Sequence, residues 1–174
     1  MKNILVVVDI QNDFVDGALG TREAVSMIDN AVNVINSHNG TIFVTLDTHT
    51  DDYLNTAEGK NLPVPHCIKN TDGWQLNNKI QKALNGREVI TIEKTAFGSL
   101  KLPELIKEYA GNDDFEITLI GLCTDICVVS NALILKANFP ETTINVIADC
   151  CAGVTPDTHK SALTTMQSCQ INII

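Results

Sequence analysis

Residues 4–9, ILVVVD, form an unbroken apolar run closed by a carboxylate. A strand wetted on one face alternates apolar and polar residues. A continuous run marks a strand covered on both faces, the pattern of parallel sheets. The unit recurs: residues 41–47, 89–93, 115–120, 143–148 and 170–174 read as five more strands. Between them the period changes to that of helices. Over 23–38, Ala24, Ile28, Ala31, Val32 and Ile35 recur at helical spacing, and Asn39-Gly40 ends the run. Further helices are predicted over 74–84, closed by Asn85-Gly86, and over 102–109, 127–136 and 155–166, with Pro156 suited to a first turn. Residues 10–21 and 48–72 read as loops. Six strands separated by helices imply a three-layer α/β/α architecture with a six-stranded parallel sheet. The common strand order for such a sheet is 3-2-1-4-5-6. No repeat, low-complexity tract or linker interrupts the chain, so one domain over 1–174 is expected.

Composition removes several function classes. With 44% hydrophobic residues, 174 residues suffice for a substantial core. The formal charge is −9 and no Lys/Arg cluster stands out, which argues against nucleic acid and anionic membranes as partners. The apolar stretch near the start is too short for a signal peptide, and no segment has the apolar length of a membrane span. A cytoplasmic location is therefore expected, and the six cysteines read as thiols.

Ligands of parallel α/β sheets bind beyond the carboxyl ends of the strands, at the switch point of the topology. Three chemically active residues sit at such ends. Asp9 closes the first strand and Lys94 follows the third. Cys127 lies in Gly121-Leu122-Cys123-Thr124-Asp125-Ile126-Cys127-Val128-Val129, where the fourth strand turns into a helix. In a first helical turn, free N–H groups and the positive dipole end favour an anion, so the thiol is predisposed to ionise. Alone, a cysteine there is ordinarily a small buried hydrophobe and a lone lysine a solvated one. Together the three suggest a cysteine hydrolase. The thiol attacks a carbonyl, lysine supplies positive charge, the carboxylate moves the proton, and N–H groups of the 122–127 turn bind the oxyanion. A second constellation is Asp47-Thr48-His49 with Glu58 and His66. These donors suit a divalent first-row metal, or else a polar loop with unrelated histidines. His38 and His159 read as surface residues. Cys150, Cys151 and Cys169 read as plain thiols, and Cys67 as a soft ligand or as loop packing.

Val7-Val8-Asp9-Ile10-Gln11-Asn12-Asp13-Phe14 resembles the opening motif of isochorismatase-like cysteine hydrolases. The segment 121–129 resembles that family's nucleophile motif, and Lys94 with Phe97 its lysine segment. Asp47-Thr48-His49 with Pro65-His66-Cys67 is similar to the nicotinamidase branch. The resemblance spans essentially the whole chain and implies a Rossmann-like, isochorismatase-like hydrolase fold. It implies a triad of Asp9, Lys94 and Cys127, and a cis peptide at Leu122-Cys123 that turns the amides of Cys123 and Cys127 toward an oxyanion. It further implies zinc, iron or manganese on Asp47, His49, Glu58 and His66, holding a pyridine nitrogen, with Phe14, Phe97 and Leu122 against the substrate. The implied reaction is hydrolysis of a small carboxamide, nicotinamide to nicotinate plus ammonia, through a thioester. Leu62-Pro63-Val64 stands where relatives often carry an aromatic, and the lysine segment is short. The expected partner is a small amide, and a homo-oligomer is expected. Two other readings stay open. One is a metal-free relative acting on a carbamoyl or enol-ether substrate. The other is a thiol redox or sensor protein, although no Cys-x-x-Cys pair is present.

Overall fold

From Ile4 to Val8 the first strand, β1 (Lys2–Val8), is buried at every residue, as its continuous apolar run requires. A computed structural model describes residues 1–174. After β1 come a short helix α1 (Asn12–Val15), α2 (Arg22–Ser37), β2 (Ile42–Asp47), a 3-10 turn (Tyr53–Asn55), α3 (Ala57–Asn61), α4 (Asn78–Leu84) and β3 (Val89–Lys94). Then follow α5 (Lys101–Ala110), β4 (Phe115–Leu122), a π-helical turn (Thr124–Val128), α6 (Val129–Asn138), β5 (Ile144–Ala152), α7 (Pro156–Ser168) and β6 (Asn172–Ile173). All six strands are parallel, in the order β3-β2-β1-β4-β5-β6. The architecture expected from the alternation of strands and helices is the one observed.

Alternate residues of each strand feed two cores. Leu5, Val7, Val44 and Ile120 pack with Met27, Ile28, Ala31 and Ile35 of α2 and Ile80 of α4. Ile4, Val6, Phe43 and Leu119 pack with Leu102 and Ile106 of α5, Leu135 of α6 and Met166 of α7. The helices begin where side chains satisfy their first N–H groups. Thr21 Oγ1 accepts from the Ala24 amide at 3.0 Å. Thr155 and Thr158 form a reciprocal capping box with Pro156 at the first position of α7. No helix is long and apolar enough to cross a membrane.

Three local features differ from expectation. The helix predicted over 74–84 forms only from Asn78, because the preceding residues are used otherwise. The amides of Trp74 and Gln75 turn back onto Thr71 and Asp72, and Leu76 bridges to Gln11. The 48–72 loop is not structureless, since it holds the 3-10 turn and α3. Cys127 lies in a π turn ahead of α6 rather than in a regular first turn, and the Val128 amide donates to the Cys123 carbonyl at 3.0 Å.

Strand register positions the site. Val8 pairs with Thr45 on one side and Gly121 on the other, and Asp47 pairs with Lys94. Asp9, Asp47 and Lys94 therefore leave neighbouring strand ends together. Gly121 has φ +132°, and a Cβ there would overlap the carbonyl oxygen of Val8. Only glycine lets β4 lie that close to β1 immediately before the turn that bears Cys127.

Candidate active site

Asp9 follows β1 with φ +46°, a left-handed conformation that costs a non-glycine residue about 1–3 kcal/mol. Its carboxylate is fully buried. Thr45, a lone hydroxyl in the apolar strand β2, donates to Asp9 Oδ1 at 2.7 Å. The ammonium of Lys94 lies 2.7 Å from Oδ2, an oxygen that takes no other hydrogen bond. Lys94 also reaches Asp47 Oδ1 at 3.2 Å, donates to the Ala96 carbonyl at 3.0 Å, and lies 3.5 Å from Cys127 Sγ. Lys94 and Cys127 are each 4% exposed. A side chain of lysine's length is what carries charge from β3 across β2 to β1 and the turn after β4. The Leu122–Cys123 peptide is cis.

Burial sets the protonation of this group. It pushes the Cys127 thiol well above the ordinary thiol range, and the Asp9 charge adds to the rise. Lys94 opposes both without reversing them. Burial thus opposes the ionisation expected from a helix start and favours the protonated thiol. Burial also raises Asp9, against the pull of Lys94. For Lys94 itself burial works downward, but Asp9, Cys127 and Asp47 hold it above its usual value. The chemistry available is that of a buried thiol with a carboxylate to take its proton and an ammonium to stabilise the resulting charge.

Asp47 belongs to two clusters. While Oδ1 faces Lys94, Oδ2 lies 2.9 Å from His49 Nε2 and 3.5 Å from His66 Nε2. Glu58 Oε1 lies 3.7 Å from His49 Nε2 and 3.6 Å from His66 Nε2. All four donors fall within 4.8 Å of one another. Bonds of about 2.0–2.2 Å put the ligand atoms of a tetrahedral ion about 3.3–3.6 Å apart, so the separations of 3.5 and 3.6 Å match one divalent ion and that of 3.7 Å lies just outside. His66 Nδ1 faces the Val64 carbonyl at 2.8 Å, which leaves Nε2 as the free lone pair. Although burial pushes the Asp47 carboxyl upward, His49, His66 and Lys94 together hold it below the usual range.

Several supports were not singled out by sequence pattern. Gln11 is fully buried and grips the backbone of Asp47, its Nε2 donating to the carbonyl at 2.9 Å and its Oε1 accepting from the amide at 2.8 Å. Asp13 accepts from the Cys67 amide at 2.8 Å and so holds the loop bearing His66. Cys67 stands outside the four-donor cluster. Asn131 of α6 accepts from the Ser99 amide at 2.9 Å and donates to the Cys127 carbonyl at 2.8 Å, tying the lysine loop to the thiol's turn. The available signal was the lone threonine, Thr45, in the otherwise apolar run of residues 42–46. His159 is no free surface residue: it is half-buried, with Nδ1 2.8 Å from Thr124 Oγ1. His38 is half-buried as well.

Phe14 packs on the His66 ring at 5.4 Å between centroids. Leu122 is fully buried at the end of β4, and Phe97 is 47% exposed on a cleft wall. That cleft, about 800 Å³, opens over His49, Glu58 and Ile126. All six cysteines are free thiols.

A doubly wound parallel sheet with a buried thiol, acid and ammonium at its switch point defines an α/β enzyme of the hydrolase kind. The chain belongs to the isochorismatase family: the family model of the Isochorismatase domain matches residues 3–174. The isochorismatase-family protein PncA of Bacillus subtilis (strain 168) is 32% identical over 143 residues, 76% of this chain and 78% of that protein. The crystal structure of pyrazinamidase/nicotinamidase from Streptococcus mutans UA159 superposes with a TM-score of 0.84 at 26% identity, covering 99% of this chain and 100% of that one. N-carbamoylsarcosine amidase from Thermoplasma acidophilum superposes at 0.78 with 27% identity, over 99% and 95%.

Proposed function

We propose that this amidohydrolase uses Cys127 as its nucleophile, Asp9 as the proton carrier and Lys94 as the stabilising charge, on a small ring carboxamide of the nicotinamide type. The observation that carries the reading is one ammonium 2.7 Å from Asp9 and 3.5 Å from the sulfur of Cys127. The pyrazinamidase/nicotinamidase likeness supports the ring-amide class.

Asp9 Oδ2 takes the thiol proton as Sγ attacks the amide carbon, forming the C–S bond. The carbonyl electron pair moves to oxygen, where the amides of Cys123 and Cys127 donate. Asp9 then protonates the amide nitrogen, the C–N bond breaks, and ammonia leaves a thioester. The carboxylate next takes a proton from water as that water attacks the carbonyl. The C–S bond breaks, the acid departs, and the sulfur recovers its proton from Asp9. Throughout, Lys94 offsets the negative charge shared by Asp9 and the sulfur.

Asp47, His49, Glu58 and His66 would hold zinc, iron or manganese, by their geometry and their nitrogen–oxygen donor set. Such an ion, when bound, supplies a Lewis-acid contact for a ring nitrogen. Phe14, Leu122 and Phe97 then bound the ring. The test is ammonia release from a panel of amides by the wild type and Cys127→Ala. Loss of all turnover in the variant is expected, and retained turnover overturns the assignment. Protein that holds no metal, with Asp47→Ala and His49→Ala still active, would favour a carbamoyl hydrolase akin to the Thermoplasma relative.

A further inference from the structure

Over His49 and Glu58, the cleft is larger and more apolar than a single-ring amide requires. Its volume of about 800 Å³ lies in the range, about 300–1,000 Å³, that encloses drug-sized ligands. Its lining includes Ala57 and Leu62 from the α3 region together with Ala96, Phe97 and Ile126. Leu62 is 38% and Phe97 47% exposed, so two large hydrocarbon side chains face solvent beside the site. No lysine or arginine lines the cleft. Lys94, the cation beneath it, is already paired with Asp9 and Asp47. An anionic extension would find no partner here, and the molecule's net charge of −9 would repel it. A neutral apolar extension would cover both exposed side chains and take their hydrocarbon surface out of water.

We propose that the preferred substrate is an uncharged carboxamide whose ring carries an apolar extension, with the amide at Cys127 and the extension lying between Leu62 and Phe97. This inference rests on the amidase reading above and names the substrate class within it.

The experiment measures kcat/KM by ammonia release for nicotinamide, for nicotinamides bearing a propyl or phenyl group at ring carbons 5 and 6, and for the matching carboxylate-bearing derivatives. It also measures binding of the same amides to Cys127→Ala by calorimetry. At least one apolar derivative should exceed nicotinamide by about tenfold in both measurements, while the anionic derivatives fall below it. Leu62→Ser and Phe97→Ser should each bring the ratio of extended to unextended substrate toward one. Turnover of nicotinamide with no gain from any extension overturns this inference and leaves the amidase reading standing. A gain that both variants leave intact overturns the placement between Leu62 and Phe97. No ammonia from any amide, with no binding to Cys127→Ala, overturns both readings.

Discussion

Thr45 is the residue through which the proton chemistry can be adjusted with least disturbance. Its hydroxyl donates to Asp9 Oδ1 at 2.7 Å and so favours the ionised carboxylate, while burial favours the neutral acid. Thr45→Val removes the donor and keeps the shape. In the proposed mechanism Asp9 must be ionised to accept the thiol proton, so the acid limb of the kcat/KM profile should move to higher pH, by about one unit or less. An unmoved limb would show that Asp9 is not the base. Lys94 is a different case, since it is the positive partner of two buried carboxylates and of the sulfur. Lys94→Ala should raise the apparent pKa for iodoacetamide alkylation of Cys127, abolish turnover, and cost about 3–5 kcal/mol in urea unfolding because Asp9 and Asp47 lose their counter-charge. An unchanged alkylation profile would place Lys94 outside the reaction. Cys127→Ala deletes only the thiol proposed as the nucleophile. It should cut kcat/KM by about ten-thousandfold or more with a small change in stability.

At the scale of elements, two joints hold the thiol. Gly121 allows β4 to approach β1, and Gly121→Ala should give a poorly soluble or markedly destabilised protein, read by yield and by thermal unfolding. The second joint is Asn131, which links the lysine loop to the π turn from within α6. Asn131→Ala strands the Ser99 amide and the Cys127 carbonyl in a buried region. A cost of about 1–3 kcal/mol is expected, with kcat reduced about tenfold or more as the sulfur loses its position. A variant with wild-type kcat would show that α6 holds the turn without it. The legibility of elements followed the locality of their causes. α2 was readable because its apolar stripe and its closing Asn39-Gly40 are both local, and the structure adds the Thr21 cap. The stretch 74–77 was not, since Trp74 and Leu76 fit a helical stripe but are taken up by contacts with residues distant in sequence, Thr48 and Gln11. The π turn was equally hidden, because its extra residue per turn leaves no mark in the period.

For the molecule as a whole, the four-donor cluster joins β2 to the 53–67 segment, so an ion bound there should stabilise the fold as well as the site. At a free-ion concentration of about a hundred times Kd, linkage contributes about 2.7 kcal/mol, or a rise in Tm of roughly 5–10 °C for a chain of this size. Differential scanning calorimetry with zinc, iron or manganese should show that rise in the wild type and lose it in His49→Ala. A Tm indifferent to every ion would mean that the cluster is only a polar brace. The alternation of buried strands and amphipathic helices, the strand ends carrying Asp9, Asp47 and Lys94, and the turn carrying Cys127 were all determined by the sequence alone. Each rests on periodicity or on a short motif, and both act over a few residues. The tertiary structure decided the surroundings that bias the protons. Burial pushes the Cys127 thiol upward while Lys94 pulls it down, and neither the burial nor the 3.5 Å separation is written in any local stretch. Only the folded register could give Asp47 its two roles, one oxygen on Lys94 and the other on the histidines, because they depend on β1, β2 and β3 ending side by side.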